Sequence, residues 1–208
     1  MLIETPRGPA RVDLALPPSA PRLLLVLGHG AGGGVAAPDL LAVRTAALVI
    51  GAAVTLAEQP YRVAGRRAPA PAPHLDEAWI EICRAPTQFP HLPPGLPLVT
   101  GGRSSGGRVA ARTARATGAV AVLALAFPLQ PPPRAGRASP PASRAGELVG
   151  AGVPVLVVNG DRDPFGIPAG SDEVEVHVVA GADHSLRRHA GEVAAVAASW
   201  LTDRLTGR

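Results

Sequence analysis

"VTGGRSSGGRVAAR" (Val99–Arg112) sets two adjacent serines between paired glycines, after an apolar run and before a stretch rich in Ala and Arg. A glycine-rich turn from strand to helix has two chemical uses. Its bare backbone N–H groups can cradle a phosphate, or it can lift a serine hydroxyl into the open. The phosphate pattern is G-x-x-x-x-G-K-[ST]. "GRSSGGRV" (Gly102–Val109) supplies both glycines but puts Arg108 and Val109 where a lysine and a Mg²⁺-binding hydroxyl belong. The nucleophile pattern, G-x-S-x-G, needs small residues two positions to either side of the serine. Ser104 has Gly102 and Gly106 there. Ser105 has Arg103 and Gly107, and an arginine would crowd the turn. The spacing selects Ser104. Two capping serines in a glycine-rich turn would look the same, so the partners decide.

A serine hydroxyl attacks only when a base takes its proton. Histidine is the usual base, because its ordinary pKa lies near neutrality. Of the six histidines, His184 in "GADHSL" falls in a turn between the last strand-like run and the last helical stretch. His177 falls inside that run, His74 and His91 in proline-rich connectors, and His189 on the approach to the helix. His184 is the expected base. An acid must then hold its tautomer. "VLVVNGDRDPFG" (Val155–Gly166) ends an apolar run with Asp161 and Asp163. Spacing favours Asp163, which is clear of the strand; Asp161 is the alternative, and Asp-Pro also starts plain turns. The order Ser104, Asp163, His184 is that of the α/β-hydrolases.

Attack on a carbonyl also needs N–H donors for the oxyanion. One is expected from Ser105, the residue after the nucleophile. The other is expected from "GHGAGGG" (Gly28–Gly34), as the Ala31 N–H or alternatively that of Gly30. His29 reads equally well as a packed loop residue.

The surrounding pattern fits that order. Arg22–Gly30, Leu96–Gly102, Ala119–Phe127 and Val153–Gly160 are continuous apolar runs, as in strands covered on both faces. Val174–Gly181 alternates more. Helices are expected over Pro38–Leu48, Leu75–Arg84, Gly107–Thr117 and Gly191–Leu205. The alternation predicts one α/β domain over 1–208, a mostly parallel doubly wound sheet with helices on both faces. Ligands of such sheets sit at the carboxyl ends of strands, where all four candidate turns fall. Ala64–His74, with alternating prolines, is expected as extended surface chain. The proline-rich connector at 128–152 is either a solvated linker or a small mobile lid. It is too short for a separate cap domain.

Composition narrows the function classes. The chain has 208 residues, 47% hydrophobic, 17% charged and 3% aromatic, so its core is built from Ala, Val and Leu. All 20 basic residues are Arg and the net charge is +4. The arginines are scattered, without the clustered basic face and stacking aromatics of a nucleic-acid binder. Cys83 is the single cysteine, which fits a reducing compartment. The start "MLIETPRGPA" shows no signal peptide, and no apolar window reaches the roughly 20 residues of a membrane span. The expectation is a soluble cytoplasmic protein with neither membrane nor nucleic-acid partners.

"LVLGHGAGGG", "QPYRVAGRRAPAPAPHLDEAW", "GGRSSGGRVA", "FPLQPPP" and "VPVLVVNGDRDPFG…GADHSL" together resemble the small α/β-hydrolases grouped with dienelactone hydrolase-related proteins, in the KANL3/Tex30-like branch. The likeness runs from about Arg22 to the end. It implies an α/β-hydrolase fold, with Ser104 as nucleophile, Asp163 as acid and His184 as base. Where the family elbow often has a bulky residue after the serine, this chain has Ser105. True dienelactone hydrolases use a cysteine nucleophile; Cys83 lies outside any elbow, so that activity is not implied. The expected reaction is hydrolysis of a small-molecule ester or related acyl bond through an acyl-serine, without metal or organic cofactor. The family's eukaryotic relatives include scaffold subunits, so a non-catalytic interaction protein on the same fold is the alternative. Substrate and oligomeric state are not read from the sequence.

Overall fold

Among the described residues, eight strands form one sheet in the order β1-β2-β4-β3-β5-β6-β7-β8. They are β1 (Leu2–Ile3), β2 (Ala10–Ala15), β3 (Leu23–Gly28), β4 (Ala52–Glu58), β5 (Leu98–Arg103), β6 (Ala121–Leu125), β7 (Val155–Gly160) and β8 (Val174–Val179). From β4 to β8 all pairings are parallel; β1 and β2 run antiparallel at one edge. The structure, a computed structural model, describes residues 1–85, 92–131 and 142–206. His91 and the middle of the 128–152 connector lie outside the described residues.

The central strands are the continuous apolar runs of the sequence, and both of their faces are covered. On β3, Leu23, Leu25 and Leu27 join the core on one side and Leu24 and Val26 that on the other. The first side is covered by α1 (Pro38–Val49) and α6 (Ala190–Thr206), which pack on each other. The second is covered by α3 (Ala72–Arg84) and α4 (Ser105–Thr117). Trp79 of α3 is wholly buried there. The doubly wound, mostly parallel arrangement is the one the alternation predicts.

Three local features differ from the sequence reading. β4 is not among the expected strands, because α1 and β4 share one apolar tract, Ala46–Ala57. The break is Gly51, whose φ of +88° turns the chain from helix into strand; only glycine takes that conformation freely. The stretch Ala64–His74 is not extended throughout: α2 (Pro60–Val63) precedes it, and α3 starts at Ala72. Proline in a first helical turn loses no hydrogen bond, since its N–H would have no partner there. The connector ends in a short helix, α5 (Ala145–Val149). Its Glu147 accepts a 2.8 Å hydrogen bond from Arg108 Nε, which ties the connector to α4.

Candidate active site

Ser104 stands between β5 and α4 with φ 52° and ψ −111°. A non-glycine residue in such a sparsely populated region carries about 1–3 kcal/mol of strain. The surroundings hold it there. Its N–H donates to the Leu125 carbonyl at 2.8 Å. The turn also needs glycines around it: a Cβ on Gly106 would lie 2.5 Å from the Gly28 oxygen, and one on Gly102 would run into the same carbonyl. The glycines make room for β3 against the start of α4, with the serine at the apex.

His184 follows β8, and Asp163 follows β7. His184 Nε2 lies 3.0 Å from Ser104 Oγ, and its Nδ1 lies 2.8 Å from Asp163 Oδ2. A carboxylate only accepts, so Nδ1 carries the proton and the lone pair of Nε2 faces the serine hydroxyl. The Asp163 side chain is buried, and its other oxygen accepts the Phe165 N–H at 2.9 Å. Phe165 packs on the imidazole with ring centroids 4.5 Å apart. Asp161 points elsewhere: exposed, it accepts the Gly181 N–H at 2.8 Å and so closes the turn after β8. His177 lies on β8, 3.4 Å from Glu192, and His189 ends a 3-10 turn, Arg187–His189.

The loop after β3 approaches the serine from the other side. A Cβ on Gly30 would stand 3.6 Å from the Ser104 Cβ. His29 is buried, with Nε2 3.1 Å from the Gln59 N–H and Nδ1 2.8 Å from the Gly30 carbonyl. Nε2 must accept from an N–H, so Nδ1 carries the proton and donates to Gly30. Burial lowers the His29 pKa, only partly offset by the Gly30 carbonyl and Glu58, which keeps the ring neutral. The Gly30 carbonyl shares its peptide plane with the Ala31 N–H, and in a trans peptide the two point opposite ways. His29 therefore sets the direction of the Ala31 N–H. Tyr61 Oη donates 2.9 Å to the Ala31 carbonyl and fixes the next peptide. Ser105 is the first residue of α4, whose N–H has no intrahelical acceptor.

Three supporting residues, Arg103, Asp39 and Asn159, were missed by sequence reasoning. Arg103, just before the serine, donates through Nη2 to the His184 carbonyl at 2.8 Å. Its Nε lies 3.1 Å from Asp39, a wholly buried carboxylate in the first turn of α1. Burial raises the Asp39 pKa, and Arg103 pulls it back down. Asn159 is buried at the end of β7. Its Oδ1 accepts the Phe127 N–H at 2.7 Å, and its Nδ2 donates to the carbonyls of Phe127 at 3.0 Å and Gly166 at 3.1 Å. It clamps the end of β6 to the loop that carries Asp163. A lone amide closing the apolar run "VPVLVVNG" is a visible signal for Asn159. Asp39 reads in sequence as an ordinary first-turn acid.

A strained serine at the strand-helix turn, a histidine after the last strand and a buried carboxylate after the strand before it define the α/β-hydrolase class. The chain belongs to the alpha/beta hydrolase domain family, whose model matches residues 21–200. No curated protein matches the sequence. Among solved structures, it is similar to an alpha-beta serine hydrolase homologue from Coxiella burnetii, at 17% identity, TM-score 0.76, and 97% and 96% of the two chains covered. An a/b serine hydrolase without lid from Xanthomonas campestris shares 18% identity at TM-score 0.73, over 97% of this chain and 92% of its own. Dienelactone hydrolase from Anabaena variabilis shares 17% identity at TM-score 0.73, over 97% and 95%. At these identities the likeness is one of fold. No helix among the described residues is long and apolar enough to cross a membrane.

Proposed function

We propose that the protein is a serine hydrolase of the KANL3/Tex30-like branch that cleaves carboxylic esters or related acyl bonds through an acyl-serine. The observation that carries this reading is the unbroken line from Asp163 Oδ2 through His184 to Ser104 Oγ, at 2.8 and 3.0 Å.

The chemistry runs in two halves. Ser104 Oγ bonds to the acyl carbon while its proton passes to His184 Nε2, and the carbonyl π pair moves onto oxygen. The Ser105 and Ala31 N–H groups hold that oxyanion, each donor contributing about 2.7–4 kcal/mol to the transition state. Collapse breaks the bond to the leaving oxygen, which takes the proton back from Nε2. Water then adds to the acyl-serine, giving its proton to Nε2. Ser104 Oγ departs with that proton, and the acid is released. Asp163 holds the imidazole in the productive tautomer and stabilises it when charged. The arrangement of His29 and Tyr61 around Ala31 favours Ala31 over Gly30 as the second donor.

A fluorophosphonate probe tests the reading. Labelling of the wild type that disappears in Ser104→Ala and survives in Ser105→Ala is the expected result. An unreactive wild type favours the scaffold alternative. Loss in Ser105→Ala with retention in Ser104→Ala would assign the nucleophile to the other serine.

A further inference from the structure

We infer that the substrate carries a negatively charged oxygen group, held by Arg187, three residues after the proposed base His184; this rests on the hydrolase reading above. Two cavities of about 400 Å³ each flank the segment that follows His184, and both are lined by Ser185 and Arg187. The first also has Arg103 on its wall, together with Gly33 and Gly34 of the loop after β3. It therefore adjoins Arg103, the residue before Ser104, and Ser185, the residue after His184. The second adds Arg162 and Arg188.

The backbone builds this wall deliberately. Leu186 has φ 50° and is wholly buried. That left-handed turn sends the leucine into the core and leaves Arg187 and Arg188 on the outside, both exposed. Asp183 Oδ1 accepts the Ser185 N–H at 2.8 Å and the Ser185 hydroxyl at 2.5 Å, which braces the turn.

The charges on the two walls do not balance. Arg103 is matched by Asp39 at 3.1 Å. Among the described residues, Arg162, Arg187 and Arg188 make no salt bridge. Asp183, on the second wall, has its pKa held below the usual range by the Ser185 hydrogen bonds, with Arg188 and Arg103 adding to the fall, so it stays charged and offsets only part of the positive charge of the three arginines. Arg187 is the cation common to both cavities. A guanidinium presents a planar fork of donors suited to carboxylate or phosphate oxygens. Partly enclosed positive walls also raise the local concentration of anionic ligands. A neutral ester would leave that charge unused.

The test uses matched esters. On the acyl side, mono-4-nitrophenyl glutarate is compared with 4-nitrophenyl pentanoate. On the leaving-group side, 4-acetoxybenzoate is compared with its methyl ester. The expected result is a kcat/KM at least about tenfold higher for the anionic member of one pair, arising in KM. That ratio falls toward unity in Arg187→Gln and with added NaCl, and is largely kept in Arg187→Lys. The responding pair tells which end of the substrate carries the charge. Calorimetric binding of glutarate and 4-hydroxybenzoate to Ser104→Ala protein, with and without Arg187→Gln, separates the two readings. Ester turnover without anion preference or binding overturns the Arg187 site and leaves the hydrolase standing. Arg187-dependent binding without turnover of any ester overturns the hydrolase and leaves the anion site. Binding that ignores Arg187→Gln overturns the assignment to Arg187.

Discussion

Arg103 donates a 2.8 Å hydrogen bond to the carbonyl oxygen of His184, so the residue before the proposed nucleophile holds the backbone of the proposed base. The same guanidinium faces the buried Asp39 at 3.1 Å. Three segments that meet at the site, the start of α1, the end of β5 and the loop after β8, are joined by one side chain.

Removing that side chain should be costly. Arg103→Met leaves Asp39 buried without a cation, and breaking a buried pair in this way typically costs about 3–5 kcal/mol. The expected result is a clearly lower urea midpoint, with most of the loss recovered in Arg103→Met/Asp39→Leu. Burial raises the Asp39 pKa above its ordinary 3.8, so ionisation of this group opposes folding as pH rises through that range. The deficit of the single variant should shrink as the pH is lowered toward 4. A deficit independent of pH would argue against an uncompensated carboxylate as its cause.

The two aspartates after β7 should separate cleanly in kinetics. Asp163→Asn removes the acceptor that orients His184 and should lower kcat on a 4-nitrophenyl ester by about 10⁴-fold, as the wrong tautomer does in related constellations. Asp161→Asn keeps an oxygen for the Gly181 N–H and should change the rate by no more than a few fold. Severe loss confined to the Asp161 variant would reverse the assignment of the acid.

Asn159 gives a stability effect with a kinetic signature. Asn159→Leu strands the Phe127 N–H and two carbonyls away from water, at about 1–3 kcal/mol for each buried group left unpaired. The melting temperature should fall. Because the Asp163 loop also loses an anchor at Gly166, kcat should drop by up to about 100-fold with KM little changed. Destabilisation with normal kcat would make Asn159 purely structural.

His29 predicts an acid-side slope in stability. Its pKa is lowered in the fold by burial, below the ordinary 6.5 that it regains on unfolding. The unfolded chain therefore binds the extra proton first as pH falls, and stability declines below about pH 6.5. Protonation would also put a proton on Nε2, against the Gln59 N–H. Melting curves from pH 5 to 7.5 should show a steeper fall for the wild type than for His29→Asn. Parallel curves would assign the acid-side loss to other groups.

Much of the architecture was legible in the sequence because it depends on local pattern. Continuous apolar runs became the buried strands β3, β5, β6 and β7, and the spacing of Gly102 and Gly106 placed the turn at Ser104. β4 was hidden because helix and strand drew on one apolar tract, where periodicity alone does not distinguish them. Asp163 and Asp161 were separated only weakly by spacing. Their different partners, His184 and the Gly181 N–H, arise from where β8 lies beside β7, which is a matter of sheet order.

By itself, then, the sequence determined the alternation of elements, the strained turn, and the order of serine, aspartate and histidine along the chain. Those follow from side-chain size, backbone freedom and spacing. The tertiary structure alone decided that Ser104 Oγ, His184 and Asp163 lie within hydrogen-bonding reach, that Arg103 faces a buried Asp39, and that Arg187 serves two cavities at once. Such pairings join residues from about 20 to 80 positions apart. They exist because the parallel sheet gathers the carboxyl ends of its strands at one edge, and no local rule of sequence encodes that proximity.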